Sequence, residues 1–202
     1  MHFTILKMVN SFDEQYKKEK CLWGIKSAPI VEFLLKHKKS GTVLDLGTGE
    51  GRNALFLAKH GFNVTAVDIS GEGIKKLERL ALENKVRINT FVKDIRNFNF
   101  SENYDVILSF ATLHFLEKEE IERVIKKMKK HTSYNGFNVI TVFTEENPNK
   151  NFSYLFKRNE LKNYYSDWEI LEYKERITPL EKHGKEGKPH RHGIAELIAR
   201  KN

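Results

Sequence analysis

Residues 43–53 constrain the fold of this chain more than any other segment. They read VLDLGTGEGRN, an apolar strand followed by a glycine-rich turn and then by a segment with helical apolar periodicity. Residues 63–67 form a second apolar strand, which ends at Asp68. Together these elements form half of a nucleotide-binding fold. The glycines let the backbone approach a ligand, and the carboxylate can accept hydrogen bonds from ribose hydroxyls.

The spacing of the glycines, and the acidic residues around them, distinguish two classes of ligand. Dinucleotide-binding turns have the pattern G-x-G-x-x-G and hold a pyrophosphate at a helix N-terminus. This chain has G-x-G-x-G at Gly47, Gly49 and Gly51, with Asp45 before the turn and Glu50 within it. Carboxylates would repel a pyrophosphate, whereas they favour a ligand that carries an ammonium and a sulfonium. The pattern therefore disfavours a nicotinamide-dependent oxidoreductase.

The segment DLGTGEG resembles motif I of the class I S-adenosylmethionine (SAM)-dependent methyltransferases. A tight turn in some other α/β fold is the alternative. The resemblance implies a Rossmann-like enzyme that binds SAM and releases S-adenosylhomocysteine.

Composition limits the class of protein. With 202 residues, of which 40% are hydrophobic and 31% charged, the chain has the size and balance of one globular domain. No apolar run approaches the roughly 20 residues that span a membrane, and residues 1–7 lack the features of a signal peptide. Cys21 is the only cysteine, which excludes an intramolecular disulfide. We therefore expect a cytoplasmic protein without a membrane partner.

The net charge of +8 is compatible with an anionic partner. The lysines are scattered through amphipathic segments such as residues 121–130, which is typical of a solvated helix face rather than an RNA-binding stripe. The sequence has no aromatic-interleaved basic motif of the RNA-recognition type. An anionic small molecule is therefore favoured over nucleic acid as the partner.

Apolar periodicity predicts alternating strands and helices. Strands are predicted over residues 42–46, 63–67, 87–92, 104–109, 137–143, 168–175 and 193–199. Helices are predicted over residues 28–38, 52–60, 73–84, 118–130 and 158–165. Gly136 is expected to break the chain before the fifth strand, and residues 179–189 are expected to form a mobile or ligand-dependent loop.

This alternation predicts a single α/β domain, residues 1–202. We expect a doubly wound, mainly parallel seven-stranded sheet with helices on both faces. An antiparallel pair at the C-terminal end would complete the methyltransferase pattern. Residues 1–27 are expected to form a partly helical segment that closes over the cofactor site.

In a doubly wound sheet, ligands bind at the carboxyl ends of the strands, where the strand order reverses. The resemblance implies that Asp45, Gly47 and Gly49 hold the methionine part of the cofactor. It also implies that Asp68 accepts hydrogen bonds from the ribose and that Ile69 packs on the adenine. A capping or turn aspartate is the alternative for Asp68.

Two more segments follow strands at the same edge of the sheet. The resemblance implies that Asp94 accepts a hydrogen bond from the adenine amino group, with the amide of Ile95 beside it. It also implies that the backbone of Phe110 lies along the cofactor. An aspartate after a strand is also ordinary turn chemistry, which is the alternative for Asp94.

His114 and Trp23 complete the expected cofactor end of the site. His114 is expected to face the transferring methyl group, and a histidine packed beneath the following helix is the alternative. The Trp23-Gly24 pair resembles one that several small-molecule methyltransferases carry before the first helix, which implies a cofactor contact. A core anchor is the alternative for Trp23.

Two later segments narrow the resemblance. Residues 156–168 read FKRNELKNYYSDW, and residues 195–201 read AELIARK. With DLGTGEGRN at residues 45–53, they resemble the tellurite-resistance (TehB-like) methyltransferase family from about Tyr16 onward. The Arg-Asn pair after the glycines and the Tyr-Tyr…Trp block are the most diagnostic parts.

This family resemblance implies methylation of a small oxyanion such as tellurite or selenite, or of a similar small nucleophile. It also implies that a histidine and an arginine before the last strand hold the substrate. That loop carries basic residues at Lys182, His183, His190, Arg191 and His192. Some members have the His-Arg pair where this chain has Glu181-Lys182, a departure that bears on metalloid specificity.

His190 and His192 also have the spacing of metal ligands, because residues two apart share one side of a strand. The sequence offers no third ligand of convincing spacing, so no metal is expected. The alternatives for these histidines are metal binding or a solvated turn. We expect His190 and Arg191 to hold the acceptor.

The expected reaction is a direct in-line displacement. SAM carries its own leaving group, so the protein chiefly binds and orients the reactants. A histidine could remove a proton from a protonated nucleophile, and no required base is assigned.

Two rival functions remain at this point. An RNA or protein methyltransferase would use the basic surface. Amino methylation of bases usually needs an N/D-P-P-Y/F motif after the fourth strand, where this chain has FATL. Cytosine C5 methylation needs a nucleophilic cysteine, and Cys21 lies before the fold. A non-catalytic SAM-binding protein would bind the cofactor without turning it over.

Overall fold

A seven-stranded mixed sheet forms the centre of the molecule. The computed structural model describes residues 5–18, 21–183 and 187–202. The strands are β1 (Thr42–Leu46), β2 (Asn63–Asp68), β3 (Ile88–Val92), β4 (Tyr104–Phe110), β5 (Thr132–Phe143), β6 (Glu169–Ile177) and β7 (Gly193–Arg200). Their order is β3-β2-β1-β4-β5-β7-β6. The first five strands pair in parallel, and β7 runs antiparallel to both β5 and β6. The predicted fold class is confirmed.

Helices cover both faces of this sheet. They are α1 (Ile5–Lys18), α2 (Pro29–Leu34), α3 (Arg52–Lys59), α4 (Gly71–Glu83), α5 (Lys118–Lys130) and α6 (Glu160–Asn163), with a 3-10 turn at Leu113–Phe115. No helix in the described part of the chain is long and apolar enough to cross a membrane.

Two apolar clusters form the core, one on each face of the sheet. On one face, α2 and α3 contribute Val31, Leu34 and Leu57. On the other face, α5 contributes Ile121 and Met128. Strand β4 is buried on both faces, because its successive residues belong to opposite clusters.

Three predicted elements differ most from the observed ones, and the other bounds differ by one or two residues or agree. The second helix ends at Leu34 rather than Lys38, since the amide of Lys36 bonds to the carbonyl of Phe33 and tightens the last turn. The helix predicted over residues 158–165 is a single turn, because Asn159 before it adopts a left-handed conformation with φ of 61°.

Strand β5 runs through Gly136 instead of beginning after it. A Cβ at Gly136 would lie 2.9 Å from the carbonyl oxygen of Asp105 in β4. The β4–β5 register shifts between Tyr104 and Val106 at this point. Gly136 therefore permits the close approach of two strands at an irregularity, which is the other common use of glycine within a strand.

Candidate functional site

The turn between β1 and α3 requires glycine at three positions. Gly47, Gly49 and Gly51 have φ values of 74°, 57° and 79°, in the left-handed region that favours glycine. A Cβ on Gly47 would overlap the Thr112 side chain, and one on Gly49 would lie 2.8 Å from the Tyr16 hydroxyl. The turn thus combines a left-handed backbone with close approach by its neighbours.

Asp45 is a buried carboxylate at the carboxyl end of β1. Its side chain is 2% exposed and accepts a hydrogen bond of 2.8 Å from the Thr48 hydroxyl. Burial raises the pKa of Asp45 to about 6, and the nearby charge of Asp68 acts in the same direction. A buried carboxylate of this kind favours a positively charged partner.

Asp68 ties the end of β2 to the glycine turn. It accepts hydrogen bonds from the backbone amides of Gly49, at 2.7 Å, and Ser70, at 2.8 Å. Burial raises the pKa of Asp68 even though these hydrogen bonds favour the ionised form. Asp45 and Asp68 therefore place two buried acidic groups beside one turn.

The N-terminal segment lies against this turn. The indole N–H of Trp23 donates to the Tyr16 hydroxyl at 3.2 Å, and the Trp23 amide donates to Glu50 at 3.3 Å. The Arg52 guanidinium donates to the Trp23 carbonyl at 3.1 Å. Trp23 is thus fixed beside the turn by three contacts, and Tyr16 is buried between Trp23 and Gly49.

Helix α1 is attached to α4 through Asp13. Its carboxylate accepts hydrogen bonds from the Ser70 hydroxyl and from the Glu72 amide, the latter at 3.2 Å. The Ser70 hydroxyl also caps α4 by accepting from the Gly73 amide at 3.0 Å. The cap of α4 therefore also anchors the N-terminal helix. The part of the predicted segment at residues 1–4 and 19–20 lies outside the described residues.

The residues expected around the adenine and ribose occupy the same edge of the sheet. Burial alone would raise the pKa of Asp94, but hydrogen bonds from Arg96 outweigh burial and lower it. The side chain of Ile95 belongs to the core, while Ile69 and Phe110 are half-buried at the ends of β2 and β4.

His114 lies within a group of aromatic rings. It is fully buried and stacks on Phe143 with ring centroids 3.9 Å apart, with Phe115 and Phe152 packed around it. Burial lowers the pKa of His114 to about 3, and the charge of His192 acts in the same direction. His114 is therefore neutral at pH 7.

The hydrogen bonds of His114 determine its tautomer. Its Nδ1 accepts from the Phe143 amide at 3.3 Å, so Nε2 carries the hydrogen. Nε2 is buried and has no hydrogen-bond partner among the described residues. His114 thus offers one unpaired donor at the edge of the sheet where the predicted site lies.

The loop before β7 brings three histidines together. One ring nitrogen from each of His183, His190 and His192 lies within 4.8 Å of the other two. Burial lowers the pKa values of His183 and His192, and the charge of His190 adds to the effect. Residues 184–186 of the predicted loop lie outside the described residues.

Aromatic contacts connect this histidine loop to the glycine turn. The ring of Trp23 lies 4.8 Å from that of His183, between centroids. Phe143 stacks between His114 and His192, whose ring centroid is 4.6 Å away. A continuous series of side-chain contacts therefore runs from the acidic turn to the basic loop.

Sequence reasoning missed the roles of Tyr16, Asp13 and Arg52 in assembling this region. Arg52 was marked only as a family signature, although its position directly after the glycines indicated a place beside the turn. Tyr16 and Asp13 had no local signal for these roles, since Gly49 and Ser70, which they contact, lie more than 30 residues away. His183 was seen only as a basic loop residue.

The residues at the glycine turn fit a cofactor with a cationic end. Two buried carboxylates, Asp45 and Asp68, lie where a pyrophosphate would be repelled. The left-handed glycines at positions 47, 49 and 51 leave the backbone at those three points without side chains. These two hydrogen-bond acceptors suit an ammonium and ribose hydroxyls.

Comparison with known proteins places these features in a family. The chain matches the family model described as tellurite resistance protein TehB over residues 7–197. Over 162 residues it is 40% identical to the probable S-adenosyl-L-methionine-dependent methyltransferase TehB of Haemophilus influenzae, a match that covers 79% of this chain and 57% of the relative. This chain therefore spans little more than half the length of that curated relative.

Solved structures agree with this result. The crystal structure of TehB from Haemophilus influenzae has a TM-score of 0.81 and 34% identity, and the match covers 96% of this chain and 67% of that one. The magnesium protoporphyrin IX methyltransferase from Synechocystis PCC 6803 with bound SAM has a TM-score of 0.66 at 16% identity, covering 100% and 86%. The second likeness concerns the fold alone.

Proposed function

The chain belongs to the tellurite resistance protein TehB family, and from this we propose that it is a SAM-dependent methyltransferase. Its acceptor is a small molecule, either an oxyanion of the tellurite or selenite type or a thiol-like nucleophile. The observation that carries this proposal is the pairing of an acidic glycine turn with a basic loop, connected through Trp23 and His183.

The acidic turn forms the cofactor end. Asp45 balances the charge of the cofactor ammonium, and Asp68 accepts hydrogen bonds from the ribose. Each carboxylate oxygen of Asp68 already accepts one amide hydrogen and retains a lone pair for a second. Asp94 likewise accepts from the adenine amino group while it remains paired with Arg96.

The side chain of Ile69 packs on the adenine, the amide of Ile95 lies beside it, and the backbone of Phe110 lies along the cofactor. Trp23 covers the adenosine from the N-terminal side. SAM, when bound, supplies an activated methyl group with its own leaving group. The remaining task of the protein is to exclude water and to align the acceptor.

The basic loop forms the acceptor end. Arg191 is exposed, and its planar guanidinium matches the geometry of an oxyanion. His190 holds the acceptor beside it. His114, which is neutral at pH 7, donates its unpaired Nε2 hydrogen rather than a net proton. A soft nucleophile with a free lone pair needs no general base at this site.

A turnover assay tests the proposal. The full-length protein is incubated with SAM and one of selenite, tellurite, a small thiol or bulk RNA, and S-adenosylhomocysteine release is measured. We expect turnover with an anionic or thiol acceptor. In the Arg191→Ala variant, kcat/KM for that acceptor falls about 10-fold or more, because a charge-assisted contact is lost.

Arg123→Ala is the matched control, since Arg123 is an exposed arginine on α5, away from the loop. It should retain normal turnover. Release with RNA alone would assign the basic surface to nucleic acid and contradict the proposed acceptor. Binding of SAM without release of S-adenosylhomocysteine in the presence of any acceptor would contradict the proposed activity.

A further inference from the structure

We infer that His183, His190 and His192 form a binding site for one divalent transition-metal ion of the zinc class. Three neutral imidazoles that leave a coordination position open are a common ligand set for such an ion. One ring nitrogen of each histidine lies within 4.8 Å of one from each of the others. His183 supplies the third ligand that sequence spacing did not show.

Backbone hydrogen bonds hold the chain at two points beside the cluster. Glu181 and His190 exchange two hydrogen bonds of 2.8 Å. Nearer the sheet, the Thr178 amide donates to the His192 carbonyl at 2.8 Å, and the His192 amide donates to the Thr178 hydroxyl at 3.0 Å. These pairs extend the β6–β7 hairpin, which presents His190 and His192 on one side and brings His183 towards them.

Contacts of the ring nitrogens that face away from the ion favour the tautomers that a metal requires. The Nδ1 of His190 lies 2.8 Å from the Lys188 carbonyl and must donate to it, so Nε2 keeps its lone pair. The Nε2 of His183 lies 3.4 Å from the Glu181 carboxylate, a charge contact that favours a hydrogen on Nε2 and the lone pair on Nδ1. Carbonyl and carboxylate partners of this kind orient the histidines of known metal sites.

The third ligand has an unpaired nitrogen. Nδ1 of His192 is buried and has no hydrogen-bond partner among the described residues. A buried ring nitrogen without a partner is costly unless something binds it. Stacking of His192 on Phe143 limits the movement of this ring, with 4.6 Å between the centroids.

The movement needed to bind an ion is small. At a zinc–nitrogen distance of about 2.0–2.1 Å, the nitrogens of a tetrahedral site lie about 3.4 Å apart. The observed limit of 4.8 Å therefore requires a closure of roughly 1–1.5 Å, within reach of rotation about the side-chain bonds of His183 and His190, which are half-buried.

One acidic and two basic side chains border the cluster. Glu181 is negative beside His183, whereas Arg52 and Arg191 are positive at its edges. An ion with one open position would add positive charge next to Arg191, where an anionic acceptor is proposed to bind. That last role rests on the proposed function, but the metal site itself does not.

Metal titration of the full-length, chelator-treated protein without SAM tests the site. Calorimetry with Zn²⁺ should give one ion per chain, and Co²⁺ should give the intense visible bands of a tetrahedral nitrogen site. His183→Gln, His190→Gln and His192→Gln should each weaken Zn²⁺ binding by at least about 10-fold, because each removes a ligand. Glu181→Gln should weaken it less, since only an outer contact is lost.

His60→Gln is the matched control, because His60 is an exposed histidine outside the cluster. It should bind Zn²⁺ as the unsubstituted protein does. Zn²⁺ binding that none of the cluster substitutions reduces would overturn the inference, as would the absence of stoichiometric binding. The Co²⁺ spectrum of the unsubstituted protein keeps the test valid if one variant fails to fold. Because SAM is omitted, these results stand apart from those of the turnover assay.

Discussion

At the scale of single residues, we expect two buried carboxylates at the glycine turn to lower the stability of the free protein, a cost that ligand binding would offset. Asp45 and Asp68 are both buried, and burial raises the pKa values of both. An ionised carboxylate in such a place costs folding free energy unless a cation neutralises it. Acidic residues of this kind concentrate at functional sites.

Replacing Asp45 with asparagine should stabilise the free protein and weaken SAM binding. The folded pKa is about 6 against an ordinary 3.8, so the folded state binds the proton more tightly than the unfolded state. At pH 7 both states are ionised and the folded state carries the full cost. Asp45→Asn should therefore raise the free energy of unfolding by roughly 1–3 kcal/mol.

Denaturant unfolding measures this gain, which should shrink towards zero as the pH falls to about 4. Calorimetry should show SAM binding weakened about 10-fold or more. Asp105→Asn is the control, and it should lower the free energy of unfolding at pH 7. Hydrogen bonds from Lys38 and Thr42 lower the pKa of Asp105, so its ionised form stabilises the folded state. An Asp45→Asn variant that is destabilised at pH 7 would refute this account of Asp45.

His114 should make the protein sensitive to acid. Its folded pKa of about 3 lies below the ordinary 6.5, so the stabilisation from the neutral ring is complete above pH 6.5 and is lost as the pH falls towards 3. From pH 7 to 4 this loss amounts to roughly 3 kcal/mol.

His114→Gln should flatten the dependence of unfolding free energy on pH over that range, even though the variant is less stable at pH 7. Denaturant unfolding at several pH values measures it. His60→Gln removes an exposed histidine and should keep the slope of the unsubstituted protein. An unchanged slope in His114→Gln would show that the ring is not held neutral by burial.

At the scale of elements, α1 is attached to the domain but lies outside its core. Among the side chains that the structure describes, neither apolar cluster contains a member of α1, although Tyr16 of this helix is buried. The helix is held by the contacts of Asp13 with α4 and by Tyr16 against Gly49. We propose that α1 and Trp23 together act as a cover over the cofactor site.

Asp13→Ala should loosen this cover without unfolding the domain. Its hydrogen bonds to Ser70 and to the Glu72 amide are lost, which costs about 1 kcal/mol. We expect SAM to dissociate about 3–10-fold faster in stopped-flow measurements, with amide exchange in α1 accelerated.

Glu14→Ala is the control on the same helix, where Glu14 makes only an exposed pair with Lys17 among the described contacts. It should leave the dissociation rate unchanged. Equal rates in Asp13→Ala and the unsubstituted protein would indicate that α1 does not cover the site.

Elements with strong local signals were predicted well from the sequence. The bounds of β1 and α5 were predicted correctly. Strand β1 is an apolar segment that ends at a glycine turn. Helix α5 begins at a capping box formed by Glu117 and Glu120. The short helix α6 was overestimated, since the backbone at Asn159 overrode helical periodicity.

At the scale of the molecule, the fold and family were predictable but the assembly of the site was not. Alternating strands and helices predicted the parallel sheet, and the predicted antiparallel end is confirmed. The three-histidine cluster was not foreseen, because it depends on hairpin pairing at Thr178 and Glu181 in a segment without periodicity. The contact of Asp13 with Ser70 likewise joins residues far apart in sequence.

Calorimetric titration of the full-length protein with SAM and, separately, with NAD⁺ tests the central claim most directly. The claim is that buried carboxylates at the G-x-G-x-G turn select a cationic adenosyl ligand over a pyrophosphate. We predict one SAM bound per chain and no binding of NAD⁺ at the same concentrations. Binding of NAD⁺, or no binding of SAM, would contradict the account.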